Sequence, residues 1–453
     1  MTRPPAPRPP APTPAPTAGP TPAPTAGPTP APTAAPTAAP TPSPTAGPTP
    51  APTAAPTAAP IPSPTPARPR TVLIAPDSFK GSLTSVQVAR ALADGWARAR
   101  PDDTIQLCPL ADGGEGTLEA VAAAGGWTWH EADVTDPLGR LVRARWLRSA
   151  DGSRAVIEMA ASSGLSLVAP GERDAVHATS AGLGDLLRVV AASGARDVIL
   201  GIGGSATTDG GFGMLASLSM GYAPRPDAAS PPHGIPDLLD DLWLADLDPD
   251  LGGIRLSVAS DVTNPLLGAT GAAAIYGPQK GATPEQVARL DGRLAHFADL
   301  LERASRSAVP LRDRPGAGAA GGVGFALLAI GDRFEEFTLR PGVDLVMEAT
   351  DFDARLAGAD LVITGEGRID AQTAFGKTAL GVARRAQAAG VPCLAVGGGV
   401  EPGGIEALAA VGAIAVPVVE RPMSVEEAMA AGVAPLERCG ERLGRLLGVG
   451  LDG

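Results

Sequence analysis

Along residues 71–420, short apolar runs rich in Val, Ile and Leu alternate with longer stretches carrying Ala and Leu at helical spacing. The short runs are TVLIAPD (71–77), TIQLCPL (104–110), RAVIEMA (154–160), DVILGIG (197–203), IRLSVAS (254–260), DLVITG (360–365), PCLAVGG (392–398) and AIAVPVV (413–419). Most are apolar on successive rather than alternate residues, which is the pattern of a strand buried on both faces. Between them, SVQVARALADGWARA begins at Ser85 with Thr84 as a cap, and a second helix has Thr283 as cap with Pro284 at its first position. GKTALGVARRAQAAG closes on Gly390, a common helix stop. Strands alternating with helices predict an α/β fold with parallel sheets covered on both sides. The stretch from Tyr222 to Asp250 has no clear period and reads as a loop or lid-like insertion.

Residues 1–70 break this pattern. They are Pro-Thr-Ala-Gly repeats holding more than half of the chain's 49 prolines and no Asp or Glu. Little beyond Ala could be buried, so the entropy of ordering the segment has no offset, and an extended disordered tether is expected. No run of Leu, Val or Ile follows Arg3 and Arg8, so it does not read as a signal peptide. A dispensable tail is the plainer reading, a spacer or glycosylated stalk the functional one.

The rest of the chain is long enough for two domains. The formal net charge is −12, and the tail's four arginines leave the body more acidic still, which argues against nucleic acid or an anionic membrane as main partner. No apolar stretch approaches bilayer-spanning length. Cys108, Cys393 and Cys439 are odd in number and far apart, matching neither a disulfide framework nor a zinc site and suiting a reducing cytoplasm.

In parallel sheets ligands collect at the carboxyl ends of strands. Asp77, Asp112, Glu158, Asp261 and Glu366 fall at or just after such ends, and GIGGSATTDGG (201–211), PGAGAAGGVG (315–324) and GGGV (397–400) supply glycine-rich turns there. Glycine lets backbone approach an anion closely, although it equally lets short loops turn and helices pack. Acids beside bound phosphates make sense if they hold Mg²⁺ or accept a proton from an attacking hydroxyl. Only three of the 36 basic residues are lysines, namely Lys80, Lys280 and Lys377. Each neighbours a glycine near a strand end, where a compact ammonium aimed at one oxygen is not replaceable by the planar guanidinium.

Two familiar signatures fail on inspection. AQTAFGKT (371–378) has the loose form of a nucleotide P-loop, but Ala371 replaces its first glycine and EGRID separates it from the preceding strand. GIGGSA from Gly201 lacks the third glycine of a dinucleotide fingerprint, which disfavours a hydroxy-acid dehydrogenase.

The blocks IAPDSFKGSL, PLADGGEGT, VTDPLGR, GIGGSATTDGG, SDVTNPLLG with GPQKGAT, GAGAAGGVGFALL and LVITGEGRIDAQTAFGKTALGVA occur in this order over nearly all of 71–400. In sequence and order they resemble the signature blocks of the type I glycerate kinases. The resemblance implies phosphorylation of D-glycerate by ATP with Mg²⁺, usually to 2-phosphoglycerate. Kinase action on another small hydroxy-acid, or non-catalytic sensing of glycerate, are the alternatives. It also implies a flavodoxin-like domain from 71–125 and 290–453, an inserted α/β domain at 126–289, and a monomer or homodimer. Thr208, Thr263 and the GGGV turn depart from the family pattern. The roles expected are catalysis by Asp209, Lys80 and Asp77, and glycerate binding by Ser78, Arg368, Asp112, Glu115 and Lys377. Gly203, Gly204, Ser205, Lys280, Gly318, Gly321 and Gly322 are expected at the nucleotide phosphates, and Asp261 and Glu366 at the metal.

Overall fold

Val72, Leu73 and Ile74 are consecutive and all fully buried. This is possible only for a strand inside a sheet with helices on both faces. The computed structural model describes residues 68–224, 234–236, 239–371 and 378–448, all within one compact unit, Ser63–Gly453. Most of the proline-rich segment, and Lys377, lie outside the described residues.

Numbered along the chain, the strands are β1 (Thr71–Ile74), β2 (Thr104–Leu107), β3 (Trp127–Thr135), β4 (Leu141–Ser149), β5 (Arg154–Glu158), β6 (Asp197–Gly201), β7 (Gly221–Pro224), β8 (Leu239–Trp243), β9 (Arg255–Ala259), β10 (Glu336–Arg340), β11 (Leu361–Ile369), β12 (Cys393–Val400) and β13 (Ala413–Pro417). One sheet has the order β13-β12-β11-β1-β2, parallel throughout. It is drawn from both ends of the body, and its order is that of flavodoxin, with the chain direction across the sheet reversing between β1 and β11. The other sheet runs β10-β9-β6-β5-β4-β3, parallel except for the β3–β4 hairpin and its junction with β5.

All eight apolar runs form strands. The strands that periodicity missed are those with a polar face. β3 (WTWHEADVT) and β10 (EFTLR) alternate or mix polar and apolar residues because they lie at an edge. The supposed loop at 222–250 holds most of an antiparallel hairpin, β7–β8. The second sheet also reaches past residue 289: β10 pairs with β9, and Leu294, Phe297 and Leu301 of the helix Pro284–Ser305 pack into that sheet's core.

Three apolar clusters fill the unit. Val72 and Ile74 face the helices Ser85–Ala99 and Ala434–Gly448 on one side of the first sheet. Leu73 faces the other way, into a cluster that also holds Leu147, Val156 and Ile199 of the second sheet. Helices Thr117–Ala124 and Gly342–Ala349 contribute Leu118, Val121, Val343 and Val346 to it. This shared apolar layer holds the two sheets against each other. Both sheets turn strand ends towards the same region. Among the described residues no helix is long and apolar enough to cross a membrane.

Candidate active site

The loop after β1 carries Asp77, Ser78 and Lys80, and ends at Thr84, which caps the helix Ser85–Ala99 by a reciprocal bond pair with Gln87. Asp77 is buried. Its carboxylate accepts from the Ser78 backbone N–H at 2.6 Å and from the Thr378 hydroxyl at 2.6 Å. Burial raises its pKa above the usual carboxylate range and the charge of Asp112 adds to this, against the hydrogen bonds and Lys80.

The Lys80 ammonium donates to Asp112 at 2.6 Å. Burial alone would lower the lysine pKa, but Asp112 outweighs it, with Asp77 and Glu366 adding to the field, so the ammonium is held charged. The other Asp112 oxygen accepts from the Gly114 backbone N–H at 3.2 Å. The loop continues through Gly113, at φ +82°, where an added Cβ would lie 2.5 Å from that of Ala259 at the end of β9. Only glycine lets this loop of the first sheet reach the strand ends of the second.

Asp261 follows β9 and accepts from the Gly342 backbone N–H at 2.9 Å. Burial pushes its pKa up to about 6, helped by the charge of Asp112 and opposed by Lys80. One ammonium thus lies in the field of four carboxylates from four segments: Asp77, Asp112, Asp261 and Glu366.

Two cavities meet here. The first, about 720 Å³, is bordered by Glu115, Gly203, Gly204, Ser205, Asp261 and Lys280 among others. The second, about 690 Å³, is bordered by Asp77, Glu366, Arg368 and a largely apolar wall from the C-terminal segment. Ser78, Lys80 and Asp112 line both. Either volume suits a nucleotide-sized ligand and exceeds the needs of a three-carbon acid.

Not every expected residue is placed to act. Asp209 is buried, lines neither cavity, and its carboxylate is already engaged by four donors. These are the Ser180 N–H and hydroxyl, both at 2.8 Å, and the N–H groups of Gly211 and Gly213, both at 3.1 Å. With its oxygens so engaged it fastens the glycine turn to the helix Ala181–Ala192. Gly318, Gly321 and Gly322 also line neither cavity. Gly321 has φ +69°, and a Cβ there would stand 2.0 Å from the Thr207 carbonyl oxygen. These glycines permit close packing of two loops.

Lys280 is buried beneath the Gly203–Ser205 turn, donating to Ser205 Oγ at 2.9 Å and to the Thr207 carbonyl at 2.5 Å. Burial brings its pKa down to about 7, against the pull of Asp209. It braces the turn from below. Arg368 borders the second cavity but pairs with Glu401 and, at 3.3 Å, with Asp370, so its charge is already balanced. Lys377 lies outside the described residues. Thr378, next to it, was not foreseen, yet it ties the first sheet's later helix to Asp77.

Among the described residues no cluster of three or more His, Cys, Asp or Glu could hold a metal unaided. Asp261 and Glu366, the expected ligands, border different cavities. The donor chemistry nevertheless fits a hard cation shared with phosphate, since Mg²⁺ takes one or two carboxylates and leaves its other positions to water and substrate. Asp112 and Asp261 supply surplus negative charge on the first cavity. Beside them Ser260 Oγ is buried without a partner.

Comparison with known proteins decides what kind of cleft this is. The model of the glycerate kinase family matches residues 72–448. The chain belongs to the glycerate kinase family. It is therefore an enzyme of the kinase type. It is 45% identical over 330 residues to the glycerate kinase of Haemophilus influenzae, covering 72% of this chain and 85% of that one. The glycerate 2-kinase of Escherichia coli is 44% identical over 331 residues, covering 72% and 84%. A crystal structure from Salmonella typhimurium LT2, described as a glycerate kinase 2, superposes with a TM-score of 0.70 at 39% identity, covering 84% of this chain and 98% of that one.

Proposed function

We propose that the protein transfers the γ-phosphoryl group of ATP to the C2 hydroxyl of D-glycerate, giving 2-phosphoglycerate and ADP. The observation that carries this reading is the Lys80–Asp112 pair in the wall common to two cavities, where two ligands would face each other. Glycerate occupies the first cavity with its hydroxyl turned to Asp112. The attacking oxygen forms the new O–P bond, the bond to the β,γ-bridging oxygen breaks, and the hydroxyl proton passes to Asp112. That carboxylate lines both cavities, whereas Asp77 borders only the second and Asp209 neither. Lys80 neutralises charge on the transferring group, and the Gly203–Ser205 turn offers backbone donors to phosphate oxygens. Mg²⁺, held by Asp261, would screen the phosphates. The three cysteines, all free and buried, suit a reducing cytoplasm.

The test is ADP release with ATP and Mg²⁺ in the presence of D-glycerate, L-glycerate, glycolate or lactate. Release confined to D-glycerate supports the reading. Release that does not depend on an acceptor, or that favours another acid, counts against it.

A further inference from the structure

Lys280 carries a charge that its surroundings do not balance. Its side chain is 2% exposed, and its ammonium donates to Ser205 Oγ at 2.9 Å and to the Thr207 carbonyl at 2.5 Å. An ammonium has three N–H donors, so one remains, and both acceptors are uncharged. Among the described residues no carboxylate forms an ion pair with it. Asp209 pulls on its charge but lines no cavity, and its own oxygens are held by Ser180, Gly211 and Gly213. Tyr276, on the helix Ala272–Tyr276, turns its hydroxyl to Asn264. Arg173, whose backbone packs on Gly281, donates to the Gln279 carbonyl. Lys80, Asp112, Glu115 and Asp261 border the same cavity as Lys280, and none of them pairs with it.

Burying an uncompensated charge is costly. Bracing the turn needs two donors and no charge, which a glutamine amide would supply. The charge makes sense if an anion completes the site. The opening beside it is the first cavity, which Lys280 borders together with Gly203, Gly204 and Ser205. We propose that Lys280 is the buried counter-charge of an oxyanion bound on the Gly203–Ser205 turn, and that this anion binds together with a proton taken up by the lysine. The oxyanion is the carboxylate of the acid or the phosphoryl group it receives. The inference rests on the kinase reading for the identity of the anion and adds that its binding is proton-linked. Without ligand Lys280 titrates at about 7, because burial disfavours its charge. A bound anion favours the charged form, so above that pH each anion bound brings in a proton and affinity falls as pH rises. At lower pH the lysine is already charged and no uptake is needed.

The chain has three lysines, so lysine labelled with ¹³C at Cε gives three signals in the full-length protein. Their titrations are followed by NMR without ligand and with saturating inorganic phosphate, D-glycerate or 2-phosphoglycerate. Lys80→Arg and Lys377→Arg assign two signals, which leaves Lys280 identified even if Lys280→Met does not fold. The expected result is a Lys280 midpoint near 7 in the free protein, rising by roughly one pH unit or more with ligand. A rise with D-glycerate places the carboxylate at the lysine. A rise with the two phosphates but not with D-glycerate places the phosphoryl group there. A free-protein midpoint close to the ordinary 10.5 of lysine, or one that no ligand moves, overturns the proposal. The kinase reading fails separately, if wild type makes no phosphoglycerate from ATP and D-glycerate. A midpoint moved by inorganic phosphate would then still locate an anion at Lys280.

Discussion

Lys80 and Asp112 are joined at 2.6 Å although they belong to loops following neighbouring strands, β1 and β2. The lysine side chain is 74% exposed, so the pair spans open space between two cavities instead of supporting a core. A surface pair of this kind adds little to stability. Its cost must be sought in chemistry.

Lys80→Arg keeps the charge, and Lys80→Met removes it. Both should leave the melting temperature within a degree or two of wild type. Both should lose kcat/KM by roughly a hundredfold or more, because a guanidinium cannot take the place of a compact ammonium between one carboxylate and one phosphate oxygen. Steady-state kinetics in ATP and glycerate make the check. Wild-type kinetics in Lys80→Arg would remove the lysine from the mechanism.

Asp209 should behave in the opposite way. Asp209→Ala leaves four buried donors unsatisfied and should cost on the order of 3 kcal/mol or more in stability. Asp209→Asn keeps acceptor capacity on one oxygen and should be intermediate. Chemical denaturation measures the loss. Whatever protein remains folded should retain much of its kcat. A fully stable but inactive Asp209→Asn enzyme would restore this residue to the chemistry.

Glu158 gives a pH dependence of known sign. It ends β5, accepts from the Leu118 N–H at 2.7 Å, and lines neither cavity. Burial raises its pKa from 4.5 to about 8, with Glu119 and Glu115 adding and the backbone hydrogen bonds opposing. Between those values the folded protein keeps a proton that the unfolded chain has lost, so this residue's contribution to stability falls as pH rises from 4.5 to 8. Denaturation midpoints at pH 5, 6, 7 and 8 should fall less steeply in Glu158→Gln than in wild type. Parallel profiles would mean that the carboxyl is ionised throughout.

The parallel strands were legible because burial on both faces writes itself as an unbroken apolar run, as in Val72–Ile74. β3 and β10 were not, because a strand with one wet face spreads its signal over alternate residues. Of the site, Lys80, Asp112 and Asp261 stand where strand-end logic puts them. Asp209 lines neither cavity, and an acid after a glycine turn looks the same in sequence whether it caps a buried helix end or faces a ligand. Gly318, Gly321 and Gly322 pose the same ambiguity, since glycine required by a neighbouring backbone resembles glycine required by a phosphate. The apolar wall of Val425 and Met429 has no motif at all; it exists only once the C-terminal helices fold over β12.

The central claim, phosphoryl transfer from ATP to the C2 hydroxyl of D-glycerate, is open to a direct measurement. Enzyme, ATP, Mg²⁺ and D-glycerate are followed by ³¹P NMR, with proton coupling retained. The expected result is loss of the γ-phosphate signal matched one for one by a phosphate monoester doublet, split by the single C2 proton of 2-phosphoglycerate. A triplet from the C3 methylene would place the transfer on the wrong hydroxyl, and an unchanged γ-phosphate signal, or growth of free phosphate alone, would contradict the account.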